Sequence, residues 1–297
     1  MTLELRWNPS FSASALHAAA RLRTGRTLLD AQLAEALREP TRGVARAAQQ
    51  LGLSDDKFWL HVVPLAAQIE NNRQLAQRVG RRLLGAERSN ASAEVLLAGA
   101  ISDLESAYRR AVPDIEQQLR LRIGPLRDLC EARGPGLFRL LSERTEPGLI
   151  VESAEVILVQ PVCGGGGVAH LPYNSATIEG VLANPVAELP ETVRLGWLLA
   201  QLNCDLPAYS QNLPQMRLPV LAALALIPPV LAAAEELELV RFDPATLALA
   251  LETWELAVEN RATVATTLWQ WFEVYRQGGT SWRTALEALH QLIPASG

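Results

Sequence analysis

Lysine is all but missing. Lys57 is the only one in 297 residues, so arginine carries nearly all the positive charge. Arginine offers a planar fork of donors that lysine lacks. An alanine-rich, arginine-rich chain is also what a GC-rich genome writes, and no function follows from it. Cysteine is scarce too. Cys130, Cys163 and Cys204 are odd in number, far apart and free of any C-x-x-C. That excludes a disulfide framework or zinc knuckle and agrees with a reducing, cytoplasmic setting. No excess of positive charge exists, since the net charge is −5, so a nucleic-acid partner is not expected.

The first residues, T-L-E-L-R-W-N-P, have no apolar run of the secretory type, and no signal is expected there. The most apolar stretch, residues 218–234, is interrupted by Pro219, Pro228 and Pro229. It falls short of the ~20 uninterrupted apolar residues of a spanning helix and reads as buried core, so no membrane is expected. The histidines are isolated. None pairs with another at i, i+4, and none has Cys, Asp or Glu at metal spacing, so neither a metal nor another cofactor is expected. No G-x-S-x-G elbow and no kinase set occurs.

What is present is mostly helical text. Leu3, Leu5 and Trp7 alternate with polar residues as a short strand, which needs a distant partner to be stable. Residues 10–50 carry helical pieces broken at Gly25, Pro40 and Gly43, a loosely packed arm. Phe58, Val62, Leu65 and Ile69 mark one helix from Asp56 to about Gly80, with a kink or an early break at Pro64. Leu97, Ile101, Leu104 and Tyr108 mark the next. Ile115, Leu119, Ile123, Leu126 and Cys130 mark a third, stopped at Gly134-Pro135-Gly136. Asp243-Pro244 and Ser281 open later helices. Trp254, Trp269, Trp271 and Trp282 read as core. The arginines around Arg78 to Arg82 and Arg109 to Arg127 alternate with acids and read as solvated helix faces.

In the middle the period changes. Ala154 to Val159 is a run of strand formers, followed by Gly164 to Gly167. Val168 to Leu171 then returns as the second strand of a hairpin with a loose glycine tip. Residues 174–182 are ambiguous, and Leu189 to Leu202 is a helix apolar nearly all round. The expected fold is therefore mainly α: a multi-helix, bundle-like protein with a small central β-hairpin or three-stranded sheet. The text divides loosely into a helical region 1–146 and a hairpin-plus-helical region 147–297, with one continuous domain as the alternative.

The glycine loop could cradle phosphate at a helix start, but it lacks the lysine of a P-loop and the G-x-G-x-x-G of a dinucleotide site. His170, Tyr173 and Asn174 follow it on loop text, where function concentrates. Glu191 and Arg194 open the buried helix. These five residues form the candidate site. In zincin-type zinc metallopeptidases a strand or hairpin precedes a helix bearing H-E-x-x-H, whose histidines bind zinc. Pro190-Glu191-Thr192-Val193-Arg194 resembles that frame with Pro190 and Arg194 in the histidine positions. The resemblance implies a catalytically inactive relative without zinc.

Three readings of function follow. The first is a non-enzymatic interaction or scaffold protein with a protein partner, suggested by the lack of a complete catalytic set. The second is an enzyme that binds a small molecule or anion at the glycine-rich hairpin. The third is an inactive zincin-like protein.

Overall fold

The computed structural model describes residues 3–85, 90–256 and 258–293. The expected first strand is β1, Glu4–Pro9. Helix α1 follows, Phe11–Arg23, with the Ser10 hydroxyl capping the Ala13 N–H at 3.1 Å. It is no loose arm. Ala13, Ala15, Leu16, Ala18 and Ala19 are all fully buried, because their small side chains let α1 lie close to its neighbours. Helix α2, Ala31–Gln50, runs through Pro40 and Gly43. Burial of Leu33, Leu37 and Val44 offsets the one backbone hydrogen bond proline removes.

The long helix expected up to Gly80 is two helices, α3 (Asp55–Gln68) and α4 (Asn72–Leu84). The break falls at Asn71, whose side-chain Oδ1 accepts from the N–H groups of Arg73 and Gln74, and not at Pro64. Helix α5 is Ala91–Ala111. Helix α6, Ile115–Arg144, continues past Pro125 and Gly134-Pro135-Gly136. The stop fails because this stretch is packed. Leu137 and Leu141 are fully buried, and a Cβ on Gly136 would lie 3.2 Å from Leu237.

The remaining strands are β2 (Ser153–Val159), β3 (Gly167–His170) and β4 (Ser175–Glu179). They form a four-stranded sheet in the order β1-β2-β4-β3. The β1–β2 and β2–β4 pairs are parallel and the β4–β3 pair is antiparallel. The ambiguous segment after Asn174 thus supplies a central strand. It also corrects the hairpin: β3 pairs with β4, through a 3-10 turn at Leu171–Tyr173, and not with β2. The glycine loop is therefore the crossing from β2 to the sheet edge.

The pleat sorts the side chains. Ser175, Thr177 and Glu179 share one face with Val168 and His170, and this face meets α1 and α3. Ala176, Ile178 and Gly167 share the other, against α7 (Glu191–Ala200). Helices α8 (Pro207–Ser210), α9 (Leu218–Ala225), α10 (Ile227–Glu236), α11 (Pro244–Thr253), α12 (Arg261–Gly278) and α13 (Trp282–Leu292) complete the chain.

The apolar segment is broken at Leu226, directly ahead of Pro228-Pro229, into α9 and α10. Residues 218–236 are long and apolar enough to cross a membrane, yet 83% of that window is buried within the protein. Trp271 and Trp282 lie in the core, and Trp254 stacks on Trp197 at 4.7 Å.

Candidate functional site

The glycine loop cradles an anion, and the anion belongs to the chain. The Glu179 carboxylate, at the end of β4, is fully buried. It accepts from the Gly165 N–H at 2.8 Å and from the Cys163 N–H at 3.0 Å. The third partner is His17 Nε2, at 3.1 Å. Positive φ at Gly164 (82°) and Gly165 (125°) makes this wrapping possible, since only glycine adopts such angles freely. Close approach demands glycine as well: a Cβ on Gly165 would lie 2.9 Å from the Arg194 guanidinium. Burial alone would raise the Glu179 pKa. His17 and the loop N–H groups outweigh it and hold the carboxyl down at about 2. The Cys163 and Gly165 N–H groups are thus engaged within the chain rather than presented to a phosphate.

His17 leads from this cluster into a cleft between α1, α3 and the β3–β4 edge. Its volume is about 370 Å³, within the range of small-molecule sites, roughly 300–1,000 Å³. Ala20, Trp59, Val63 and Val168 line its apolar part, and His17, His170 and Thr177 lie in its inner wall. His170 is 3% exposed. Its Nε2 shares a hydrogen bond with the Thr177 hydroxyl at 2.8 Å, while its Nδ1 is closed to solvent. Burial, then the charges of His17 and His61, pushes its pKa down to about 3, with the Leu60 carbonyl opposing. The ring is neutral at physiological pH.

A threonine hydroxyl beside an imidazole has the outline of a nucleophile–base pair. An effective base has a pKa near the working pH, and this imidazole is far too weak. The arrangement suits recognition better than proton abstraction.

The five residues singled out in the sequence divide. His170 reaches the cleft. Tyr173 instead docks the 3-10 turn on the helices: its hydroxyl meets His61 Nδ1 at 2.7 Å and the Arg82 guanidinium covers its ring. Asn174 adopts a left-handed conformation and its side-chain amide donates to the Ser153 carbonyl at 2.7 Å, tying the turn to β2. Glu191 and Arg194 form a buried ion pair behind the glycine loop, away from the cleft. Burial raises the Glu191 pKa and lowers that of Arg194, and each partner opposes the other's shift.

His17, Thr177 and Glu179 escaped the sequence reading. The alternation S-A-T-I-E was a strand signal, but its polar residues point inward. A larger cleft of about 780 Å³ lies over Ser10, Phe11, Glu105 and Arg109. Its polar groups already serve one another: Ser12 bonds Glu105, and Arg109 covers the Phe11 ring. Among the described residues, no group of three or more His, Cys, Asp or Glu side chains could hold a metal ion. No family model, curated protein or solved structure matches the chain.

Proposed function

We propose that this protein binds a small molecule in the cleft between α1, α3 and the β3–β4 edge, and that recognition is its primary chemistry. One observation carries the reading: a cleft of about 370 Å³ with an apolar lining of Ala20, Trp59, Leu60, Val63 and Val168 ends on the polar side chains of His17, His170 and Thr177. The cysteines form no disulfide, which supports a reducing cytoplasm as the setting.

The scaffold reading has no comparable support. The large exposed apolar side chains, among them Leu29, Val95, Leu121, Met216 and Val274, sit on different elements. The zincin-like reading keeps some support in the order of elements, with an antiparallel edge strand, then β4, then buried α7. Its Glu191 is already engaged by Arg194, so it adds no chemistry to the proposal.

The test is a fragment library screened by ligand-observed NMR against the wild type and Val168→Trp, which fills the cleft. A set of fragments should bind the wild type and be lost with Val168→Trp. Identical binding to both proteins would overturn the reading.

A further inference from the structure

On α2, α6, α12 and α13, exposed arginines are answered by acids three or four residues away. Arg38 meets Glu35, Arg127 meets Glu131, Arg276 meets Glu273 and Arg283 meets Glu287. Helix α4 is built otherwise. Its charged residues are Arg73, Arg78, Arg81 and Arg82, and it holds no acid. None of the four forms an ion pair among the described residues. Arg81 and Arg82 suit the dipole at the end of the helix. Arg78 lies outside that last turn, and its i, i+4 repulsion with Arg82 works against the helix.

The fold adds a further cation. Lys57, the only lysine of the chain, stands four residues before His61 on α3, which packs against α4. His61 Nδ1 meets the Tyr173 hydroxyl at 2.7 Å, and Arg82 lies 4.7 Å above the Tyr173 ring. The Arg82 guanidinium also donates to the Pro172 carbonyl at 3.2 Å, which holds it in place. After burial, the charges of Arg82 and Lys57 lower the His61 pKa, and Arg82 and Arg78 oppose the rise that burial gives Tyr173. Lys57, Arg78 and Arg82 thus gather around one histidine–tyrosine pair, and all three are exposed. The adjacent acid, Asp56, lines the cleft instead.

His61 is half-buried, and its Nε2 is not among the atoms closed to solvent. With the phenol donating to Nδ1, the neutral ring carries its proton on Nε2 and offers a donor there. A phosphate dianion can answer several cations at once, and its oxygens match the arginine fork. A membrane surface fits less well. Leu75, Ala76 and Val79 of α4 are buried in the core, so the helix has no apolar face to insert.

We propose that Lys57, Arg78, Arg82 and His61 Nε2 form a site for a soluble phosphate monoester. The site stands apart from the small-molecule cleft.

Phenyl phosphate and benzoate, titrated into the full chain at pH 7.5 and low salt by protein-observed NMR, test this. Phenyl phosphate should shift the resonances of residues 57, 61, 78 and 82. It should bind about tenfold more tightly than benzoate, the ratio that one further charge-assisted hydrogen bond gives. Lys57→Gln and Arg78→Gln alter side chains that have no ion pair among the described residues. Each should weaken phenyl phosphate about tenfold with the remaining spectrum unchanged. Arg73→Gln, in the first turn of the same helix, should leave affinity unaltered. Bound phenyl phosphate should also raise the His61 pKa, because an anion beside Nε2 favours the imidazolium. Equal affinity for benzoate, or an equal loss with Arg73→Gln, would reduce the cluster to general basic attraction and overturn the site. Unshifted resonances at all four residues, or binding only to vesicles containing phosphatidate, would overturn it as well. An unchanged His61 pKa would remove the imidazole from it.

Discussion

Glu179 and His170 are opposite solutions to burial. Glu179 stays ionised because two loop N–H groups and His17 replace its water. His170 gives up its charge. Both consequences have the same sign. Each group has a lower pKa in the folded chain than in the unfolded one, so each contributes stability above its unfolded value and loses it as pH falls. His170 should act between its ordinary 6.5 and about 3, and Glu179 between 4.5 and about 2. Denaturant unfolding should therefore show stability declining from about pH 6.5 downward. The Glu179 share is roughly 3 kcal/mol, from about 1.4 kcal/mol per pKa unit. His170→Gln should flatten the upper part of that decline.

The Glu191–Arg194 pair makes a second prediction at this scale. Arg194→Met should cost roughly 3–5 kcal/mol by leaving a buried carboxylate uncompensated. Adding Glu191→Gln should restore part of it, read as a coupling energy in a double-mutant cycle.

At the scale of elements, glycine and proline misled in opposite directions. Pro40, Pro64 and Pro135 looked like stops, but the helices continue through them. Each lost hydrogen bond is local, and burial of neighbouring side chains outweighs it. The glycines of residues 164–167 looked like a slack tip, yet they are shaped around Glu179 and Arg194. Gly165→Ala combines a φ of 125° with a 2.9 Å clash against Arg194. It should lower stability by about 1–3 kcal/mol, with a matching fall in the thermal midpoint. Strand β4 was hidden for a related reason. Its polar alternation would normally mean a solvent face, but here that face is the site.

At the scale of the whole molecule, β1 joins residues near the start of the chain to β2, about halfway along it. Helix α6 packs on both α7 and α10. A fragment spanning residues 147–297 would lack the β1 partner of β2 and the α6 surface that covers α7. Expressed alone it should show no cooperative unfolding transition by circular dichroism, whereas the full chain should unfold in one step. Two independent transitions in the full chain would contradict this.

The helical class, the central strand text, the apolar α7 and the capped starts at Asp243 and Ser281 were all determined by local sequence. Periodicity and capping act over a few residues, so they can be read without the fold. His170 was found because it sits in loop text beside glycines. His17 and Glu179 lie 162 residues apart, and neither has a local signature. What the glycine loop binds, which histidine faces a cleft and which charges are already spent depend on groups far apart in sequence. Only tertiary packing sets those distances, because it alone decides which polar atoms find a partner within the chain.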